Sequence, residues 1–281
     1  MATSRADEAP SGVDPLRGIR RARSGAWRWA TLLAPGVLLL VLWELGSGPL
    51  IREVYVSKPS EVGERLVELF STGEIFPHLL TTGQELAWGY TIGVLAGVIG
   101  GYALGRSPAL TRVFEPYIIA FYGVPKIALA PLFIIWFGIG IVSKIALAAI
   151  MVFFLVFFNV FMGVRSVDHE LVNTARVMGA SQRQLTRHVY LPGTMPYIIM
   201  GMRAAIPYAV IGVIVGEFTS AQQGLGLYMQ RASTTFDPAG VFAGIGILLV
   251  FIVFANWLLH RLEGRVLRWR PSSGVQSGEA V

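Results

Sequence analysis

Six long apolar segments constrain the fold of this chain more than any other feature. They lie at about residues 27–46, 80–105, 114–138, 141–164, 197–218 and 239–260. Each has the length of about 20 residues that an α-helix needs to cross the hydrocarbon core of a bilayer. Only 14% of the residues are charged, whereas a soluble domain has about 25%. The sequence therefore predicts an all-α, polytopic membrane protein with six transmembrane helices.

The basic residues predict which side of the membrane each loop faces. Six spans place both termini on the same side, and with that side taken as inside, sixteen of the 23 Lys and Arg residues lie in inner segments. Five lie in outer segments, namely Arg52, Lys58, Arg65, Lys144 and Arg231. Because positive charge accumulates in cytoplasmic loops, we expect both termini to be cytoplasmic.

The two ends of the chain differ from its apolar middle. Residues 1–26 have no apolar periodicity and contain several Pro and Gly residues, so we interpret them as a disordered cytoplasmic tail. Residues 27–262 form the predicted transmembrane domain, and residues 263–281 a cytoplasmic C-terminal tail. The net charge of +6 then follows from the orientation of the loops and does not indicate nucleic-acid binding.

A polar segment at about residues 165–195, here named the 165–195 loop, separates the fourth and fifth spans. Asp168 is a favourable N-cap, and Gly179 can adopt the left-handed conformation that ends a helix. Ser181 and Gln184 have the spacing of a capping box for a second helix, which we expect Pro192 to stop. The sequence predicts a helix–turn–helix tethered between spans, so DNA binding is not expected. A purely structural loop is the alternative.

Four charged residues fall within spans or near their ends. Lys126 follows Pro125, where the third span should be bent or unwound. A charge at membrane depth costs several kcal/mol unless it faces water or a partner. We therefore take Lys126, Glu85, Arg203 and Glu217 as candidates for a translocation path. Lys126 could instead be a snorkelling or structurally paired side chain, and the two glutamates could lie at the headgroup boundary.

The second span carries a glycine at every fourth position. The row consists of Gly89, Gly93, Gly97, Gly101 and Gly105. Small residues at this spacing let helix backbones approach closely in lipid. The row could be a static packing surface or one that slides during transport. In both cases we expect this span to be buried against protein.

Several kinds of chemistry have no support in the sequence. The chain has no cysteine, and its four histidines are scattered, so neither a disulfide nor a metal site is expected. None of the three lysines lies in a G-x-x-x-x-G-K-[ST] motif, which an ATPase of the P-loop kind requires. The sequence also lacks a G-x-S-x-G nucleophile motif. We therefore do not expect the chain to be an enzyme.

The 165–195 loop resembles the EAA loop of bacterial ABC importer permeases, a motif written E-A-A-x3-G-x9-I-x-L-P. Asn173 and Thr174 stand at the first two motif positions, whereas Ala175 and Gly179 fit. The residues that match the ATPase-coupling segment are Asn173, Thr174, Ala175, Arg176, Met178, Gly179, Ala180, Leu191 and Pro192. Further similarity to the nitrate/sulfonate/taurine-type group extends over about residues 55–262, including Gly224-Leu225-Gly226.

The resemblance implies a permease subunit of an ABC importer in a bacterial plasma (inner) membrane. Its implied partners are a separate ABC ATPase that binds the ATP, an extracytoplasmic substrate-binding protein, membrane lipids and a second permease copy in a homodimer. The permease would need no cofactor of its own. The solute would be a sulfonate, taurine, nitrate or a pyrimidine-type vitamin precursor. A secondary transporter, which favours paired inverted repeats, and a non-transporting scaffold are the alternatives.

Overall fold

The computed structural model describes residues 33–49, 52 and 55–266, and these are almost entirely helical. The α-helices are α1 (Leu33–Gly46), α2 (Pro59–Thr72), α3 (Ile75–Arg106), α4 (Pro108–Gly123), α5 (Ala130–Phe137), α6 (Ile141–Arg165), α7 (His169–Val177), α8 (Gln182–Leu185), α9 (Leu191–Ser220), α10 (Leu225–Thr234) and α11 (Pro238–Val266). A 3₁₀ turn (Lys126–Leu129) precedes α5, and a π-helical segment (Thr186–Tyr190) joins α8 to α9.

The predicted tails lie mostly outside the described residues. This applies to the whole of the 1–26 tail and to residues 267–281. Helix α11 continues to Val266 and so includes the first four residues of the predicted C-terminal tail at 263–281. The helix extends past the apolar stretch since helical hydrogen bonding does not require apolar side chains.

The described residues up to Glu61 form one compact unit. Glu44, near the end of α1, accepts hydrogen bonds from the Ser60 amide (3.1 Å) and hydroxyl (2.8 Å). The Trp43 indole donates to the carbonyl oxygen of Ser57 (2.8 Å). The Ser57 hydroxyl donates to Glu61 (2.5 Å) and holds the pKa of that carboxyl below its usual range. These bonds connect the end of α1 to the beginning of α2.

The second unit starts at Val62 and contains the long apolar helices. Four helices in the described part of the chain are long and apolar enough to cross a membrane: α3, α6, the continuous helix Gln182–Ser220 and α11. The predicted third span at 114–138 is not one continuous helix. Instead α4 and the Lys126–Phe137 helix meet at 85° and together count as at most one further span.

Pro125 explains the break in the third predicted span. Proline has no N–H to donate to the preceding turn, and its ring forces the residue before it out of the helical conformation. Val124 accordingly has an extended backbone, with φ −66° and ψ 130°. The described residues therefore contain four spans, or five with the broken pair. The first predicted span, at 27–46, lies partly outside the described residues, which begin in it at Leu33.

Helix α6 is the centre of the second unit, with α3 and α9 packed against it. The buried core at these contacts is made largely of small and β-branched side chains. Its members on the three helices are Val94, Val152, Val156, Val160, Val164, Ile198, Ala205 and Ala209. These side chains are short enough for the helix axes to approach closely.

All five glycines of the row on α3 face α6. A Cβ atom placed on Gly93 would lie 2.6 Å from the Ala149 carbonyl oxygen and 2.7 Å from the Val152 Cβ. Gly212 on α9 is equally close on its own side of α6, where an added Cβ would lie 2.7 Å from the Ala148 Cα. Helix α6 thus lies between two glycine-lined surfaces and touches backbone on both.

We predict that Gly93→Ala destabilises the protein. Its methyl group would clash with backbone that cannot rotate away, and overpacking of this kind costs about 1–3 kcal/mol. The matched control is Gly246→Ala in α11, where nothing lies within 4 Å of the new Cβ. The thermal unfolding midpoint in detergent should fall for Gly93→Ala and stay unchanged or rise slightly for Gly246→Ala. Equal midpoints would contradict the close approach of α3 and α6.

Candidate functional site

The first helix of the 165–195 loop is capped at both ends by residues adjacent to it in the sequence. The Asp168 carboxylate caps α7 by accepting a hydrogen bond from the Glu170 amide (2.8 Å). At the other end Gly179 has φ +85°. The Ala180 amide donates to the Ala175 carbonyl (3.0 Å) and the Gly179 amide to the carbonyl three residues earlier (2.9 Å). This pair of bonds is a Schellman motif, which requires a left-handed residue at the Gly179 position.

The second helix of the loop runs directly into the fifth predicted span. Ser181 and Gln184 form the capping box that starts it, with bonds of 3.4 and 2.8 Å. The expectation that Pro192 stops this helix is wrong, because Gln182–Ser220 is continuous. A π turn precedes the proline, with the Leu191 amide bonded to the Thr186 carbonyl five residues back. This wider turn accommodates a proline that has no N–H to donate.

The 165–195 loop is attached firmly to the ends of the long helices. Arg106, the last residue of α3, lies with its guanidinium 3.7 Å from the centre of the Tyr190 ring. It also donates to the Gln182 side chain (3.1 Å). Val172 and Leu185, one from each helix of the loop, are buried in the same core as α3, α6 and α9. A displacement of the loop would therefore move the ends of these helices.

The tip of α7 presents an exposed apolar surface. Val177 and Met178 are 89% and 82% exposed, and Leu171 is also exposed on the same helix. Asn173, Thr174 and Arg176 are exposed as well, whereas Ala175 and Ala180 are half-buried against the core. An apolar tip on a rigidly held helix is a suitable contact for another protein.

A second candidate site lies towards the other end of α3. Glu85 is 21 residues before Arg106 on this helix, a separation of about 31 Å at 1.5 Å per residue. That distance matches the thickness of about 30 Å of a bilayer's hydrocarbon core. The two candidate sites thus lie on opposite sides of a membrane-thick bundle.

Two of the four predicted path residues meet at this second site. Glu85 on α3 and Glu217 on α9 have no exposed surface, so both carboxyl groups lie in the protein interior. They interact electrostatically with each other and with Lys144 in the first turn of α6. Lys144 is only 3% exposed, so it lies in the protein interior and not in an exposed loop.

Glu217 connects three helices through its carboxylate. One oxygen accepts a hydrogen bond from the Thr82 hydroxyl on α3 (2.6 Å), and the other from the Gly226 amide on α10 (2.5 Å). Thr82 in turn accepts from the Leu225 amide (2.8 Å). His78 adds a further contact between α3 and this segment, since its Nδ1 lies 3.0 Å from the Gly224 amide nitrogen.

The other two predicted path residues lie elsewhere. The Lys126 ammonium donates to the Tyr122 carbonyl oxygen and lies 4.8 Å from the centre of the Phe154 ring. Phe154 is ten residues beyond Lys144 on α6, about 15 Å along the axis. Arg203 is exposed and bonds to Glu263 of α11 (2.5 Å). The four residues do not form one site, and Lys126 has the surroundings of a structurally paired lysine.

Sequence reasoning missed Thr82, Lys144 and His78 as members of the second site. The signal for Thr82 was its position three residues before Glu85, which places both on one face of a helix. No local pattern indicates that Lys144 faces them, since its partners come from distant segments. In the described residues, no three His, Asp or Glu side chains are grouped so as to hold a metal ion.

Comparison with known proteins gives one consistent family. The family of binding-protein-dependent transport system inner membrane components matches residues 89–268. The chain is 32% identical over 234 residues to the formylaminopyrimidine transport permease protein ThiX of Halalkalibacterium halodurans, covering 83% of this chain and 93% of the relative. It is 31% identical over 255 residues to the taurine transport system permease protein TauC of Escherichia coli, covering 86% and 93%.

A similar fold is found among solved structures. One chain of the MetNI methionine ABC transporter, in an inward-facing conformation, matches with a TM-score of 0.57 and 19% sequence identity. The match covers 73% of this chain and 99% of that chain. At this level of sequence identity, the match shows a similar fold, that is, a similar arrangement of the helices.

We predict that Thr82→Val weakens the connection between α3, α9 and α10. The valine keeps the shape but loses the bonds to Glu217 and to the Leu225 amide. An interhelical hydrogen bond in a membrane protein contributes roughly 0.6–1.7 kcal/mol, so the loss of two should cost about 1–3 kcal/mol. The matched control is Thr219→Val, whose hydroxyl bonds only within α9. The thermal unfolding midpoint should fall only for Thr82→Val; equal midpoints would show that the network contributes little.

Proposed function

The chain belongs to the family of binding-protein-dependent transport system inner membrane components, the permease subunits of ABC importers, and on this premise we propose that its 165–195 loop couples ATP hydrolysis in a separate ATPase to solute import. The observation that carries the proposal is the exposed tip at Val177 and Met178 on a helix fixed to the bundle. A permease of this family is a multi-pass protein of the plasma membrane and performs transport, not covalent chemistry.

The proposed topology has six spans and both termini in the cytoplasm. The four continuous spans and the broken α4–α5 pair supply five of these, and the apolar segment that includes α1 supplies the sixth. The sixteen-to-five distribution of basic residues supports a cytoplasmic position for the 165–195 loop. The Glu85 end of α3 then faces the outside, where a substrate-binding protein delivers solute.

The proposed mechanism converts movement of the ATPase into movement of helices. ATP binding would draw the two ATPase subunits together and displace the docked tip of α7. The capped ends of α7 prevent the tip from unwinding, and Arg106 connects the loop to α3 through Gln182 and Tyr190. The displacement would therefore reach α3, α6 and α9 as rigid helices.

The proposed assembly contains two permease copies, two ATPase subunits and one external binding protein. We infer a homodimer from the family resemblance, because the translocation path of the solute in such importers lies between two permease subunits. The names of its relatives favour a small polar solute, either a pyrimidine-type vitamin precursor or a sulfonate such as taurine. No cofactor is proposed for the permease itself. The candidate path residues are Glu85 and Glu217 rather than Lys126 or Arg203.

The proposal predicts that Met178→Asp prevents association with the ATPase. The side chain is exposed, so the change should leave folding intact while placing a charge in an apolar contact. The matched control is Phe236→Asp, an equally drastic change at a 77% exposed residue between α10 and α11. The measurement is co-purification of the co-expressed ATPase partner, with the amount of permease in the membrane measured in parallel.

We expect the amount of co-purified ATPase to fall at least tenfold for Met178→Asp and to stay unchanged for Phe236→Asp. A tenfold loss corresponds to about 1.4 kcal/mol of binding free energy, a modest effect for a residue at the centre of a contact. Full association of the Met178→Asp protein would contradict docking through the tip of α7. Equal loss in both variants would show that neither effect is specific to the loop.

A further inference from the structure

An apolar groove of about 340 Å³ lies between α3, α9 and α11. We name it the α11 groove. Its floor is buried at Ile206 and Leu259, whereas its rim is exposed at Phe254, Leu258 and Leu262. The groove therefore opens at the side of the helix bundle. In a membrane, an opening on the side of spanning helices meets lipid and not water.

The α11 groove has the length of one leaflet of a bilayer. Its lining on α11 extends from Phe251 to Leu262, which are eleven residues and about 16 Å apart along the helix axis. One leaflet accounts for half of the hydrocarbon core, about 15 Å. A phospholipid acyl chain extends over the same depth, from the middle of the bilayer to the head group.

Two of the three walls of the groove lead into an arginine. On α9, Arg203 lies one turn before Ile206, which lines the groove. On α11, Arg265 lies one turn after Leu262, which also lines it. Residues three apart are neighbours on the surface of an α-helix. Each apolar stripe thus continues into a cationic side chain.

The end of the groove at these arginines has a positive charge. Arg203 is exposed and donates one of its five N–H groups to Glu263 (2.5 Å). Glu263 is two residues before Arg265, so the two arginines lie at the same end of the groove. Arg265 and the neighbouring Arg261 are exposed, and no carboxylate among the described residues pairs with either of them. Three guanidinium groups against one carboxylate leave a net positive charge.

We propose that the α11 groove binds an anionic phospholipid, with one acyl chain in the groove and the phosphate at Arg203 and Arg265. The planar guanidinium group binds phosphate through parallel N–H donors. Basic pockets between transmembrane helices are known to bind anionic lipid head groups. None of the lining residues belongs to the 165–195 loop, and this lipid site goes beyond the proposed transport function.

The competing occupant of the groove is a second permease copy. Two copies in one membrane have the same orientation, so a two-fold axis between them is perpendicular to the membrane, and residues at equal depth face each other. A contact through the α11 groove would therefore bring two positively charged ends together. A lipid phosphate brings the opposite charge to the same place, and the charge of the groove accordingly favours the lipid.

The test measures binding of two lipids to the full chain in a non-ionic detergent. The probes are dioleoylphosphatidylglycerol, which is anionic, and dioleoylphosphatidylcholine, which has the same acyl chains and no net charge. Native mass spectrometry gives the dissociation constant of the first bound lipid. The test variant is the double change Arg203→Gln and Arg265→Gln. The matched control is Arg112→Gln with Arg231→Gln, which removes the same charge from two exposed residues outside the groove.

We expect the unmodified chain to bind phosphatidylglycerol roughly fivefold or more tightly than phosphatidylcholine, since each arginine near an anionic head group has about that effect. The Arg203 and Arg265 variant should lose this preference, and the control should keep it. Equal binding of the two lipids by the unmodified chain would overturn the proposal even if the variant folds poorly. An equal loss in both double variants would show a general effect of charge and would also overturn it.

A second experiment tests the groove itself. Ala87 lines the groove at an exposed position of α3, so Ala87→Trp should fill the groove without disturbing the core. The matched control is Ile99→Trp, at a 68% exposed position of the same helix outside the groove. Phosphatidylglycerol binding should weaken at least fivefold only in Ala87→Trp, and equal binding by the two variants would contradict the site. Leu258→Cys tests the competing occupant, because a disulfide between two copies in nanodiscs would place the second copy at the groove and overturn the proposal.

Discussion

Backbone contact between α6 and its two neighbours is the constraint on which the rest of the structure depends. In lipid there is little hydrophobic drive to bring helices together, so close packing has to supply the association. The glycine row of α3 and the glycines of α9 let both helices touch α6 at a distance that no larger side chain would allow. Glu85, Lys144 and Glu217 can meet only because each lies next to one of these contacts.

The same packing connects the two candidate sites. The 165–195 loop is held at one end of α3 by Arg106, and the polar cavity lined by Glu85 and Lys144 lies about 31 Å away towards the other end. Three closely packed helices with few flexible side chains between them should move as stiff bodies rather than absorb a displacement locally. A push on the tip of α7 would then alter the cavity without any continuous chain of polar contacts between them.

Features encoded by a few neighbouring residues could be predicted from the sequence. The positive φ of Gly179 and the capping box of Ser181 with Gln184 were predicted from local spacing, and the structure contains both. The break at Pro125 also followed from local chemistry. The prediction for Pro192 failed because a π turn before a proline depends on how the following span is packed, which no local signal encodes.

Features that depend on distant segments could not be predicted in the same way. Lys144 sits near a predicted loop, and only the packing of α6 between α3 and α9 buries it. Glu85 and Glu217 are separated by 132 positions, so their meeting required the three-dimensional arrangement. Arg203 looked equivalent to them as a charge within a span, but its partner on α11 draws it to a different surface. The spacing of the glycines indicated one small-residue face and could not say which helix would cover it.

The central claim is that the 165–195 loop and the polar cavity lined by Glu85 and Lys144 move together. The direct test places a single cysteine at Gln222, which lines the cavity, in a chain that has no other cysteine. The complex with its ATPase and binding protein is reconstituted in nanodiscs, and the rate of maleimide labelling is measured with and without a non-hydrolysable ATP analogue. A cysteine at Phe236, exposed and outside the cavity, is the control. The account predicts a severalfold change in rate at position 222 and none at 236. Identical rates at position 222, in a complex that binds the nucleotide, would contradict it.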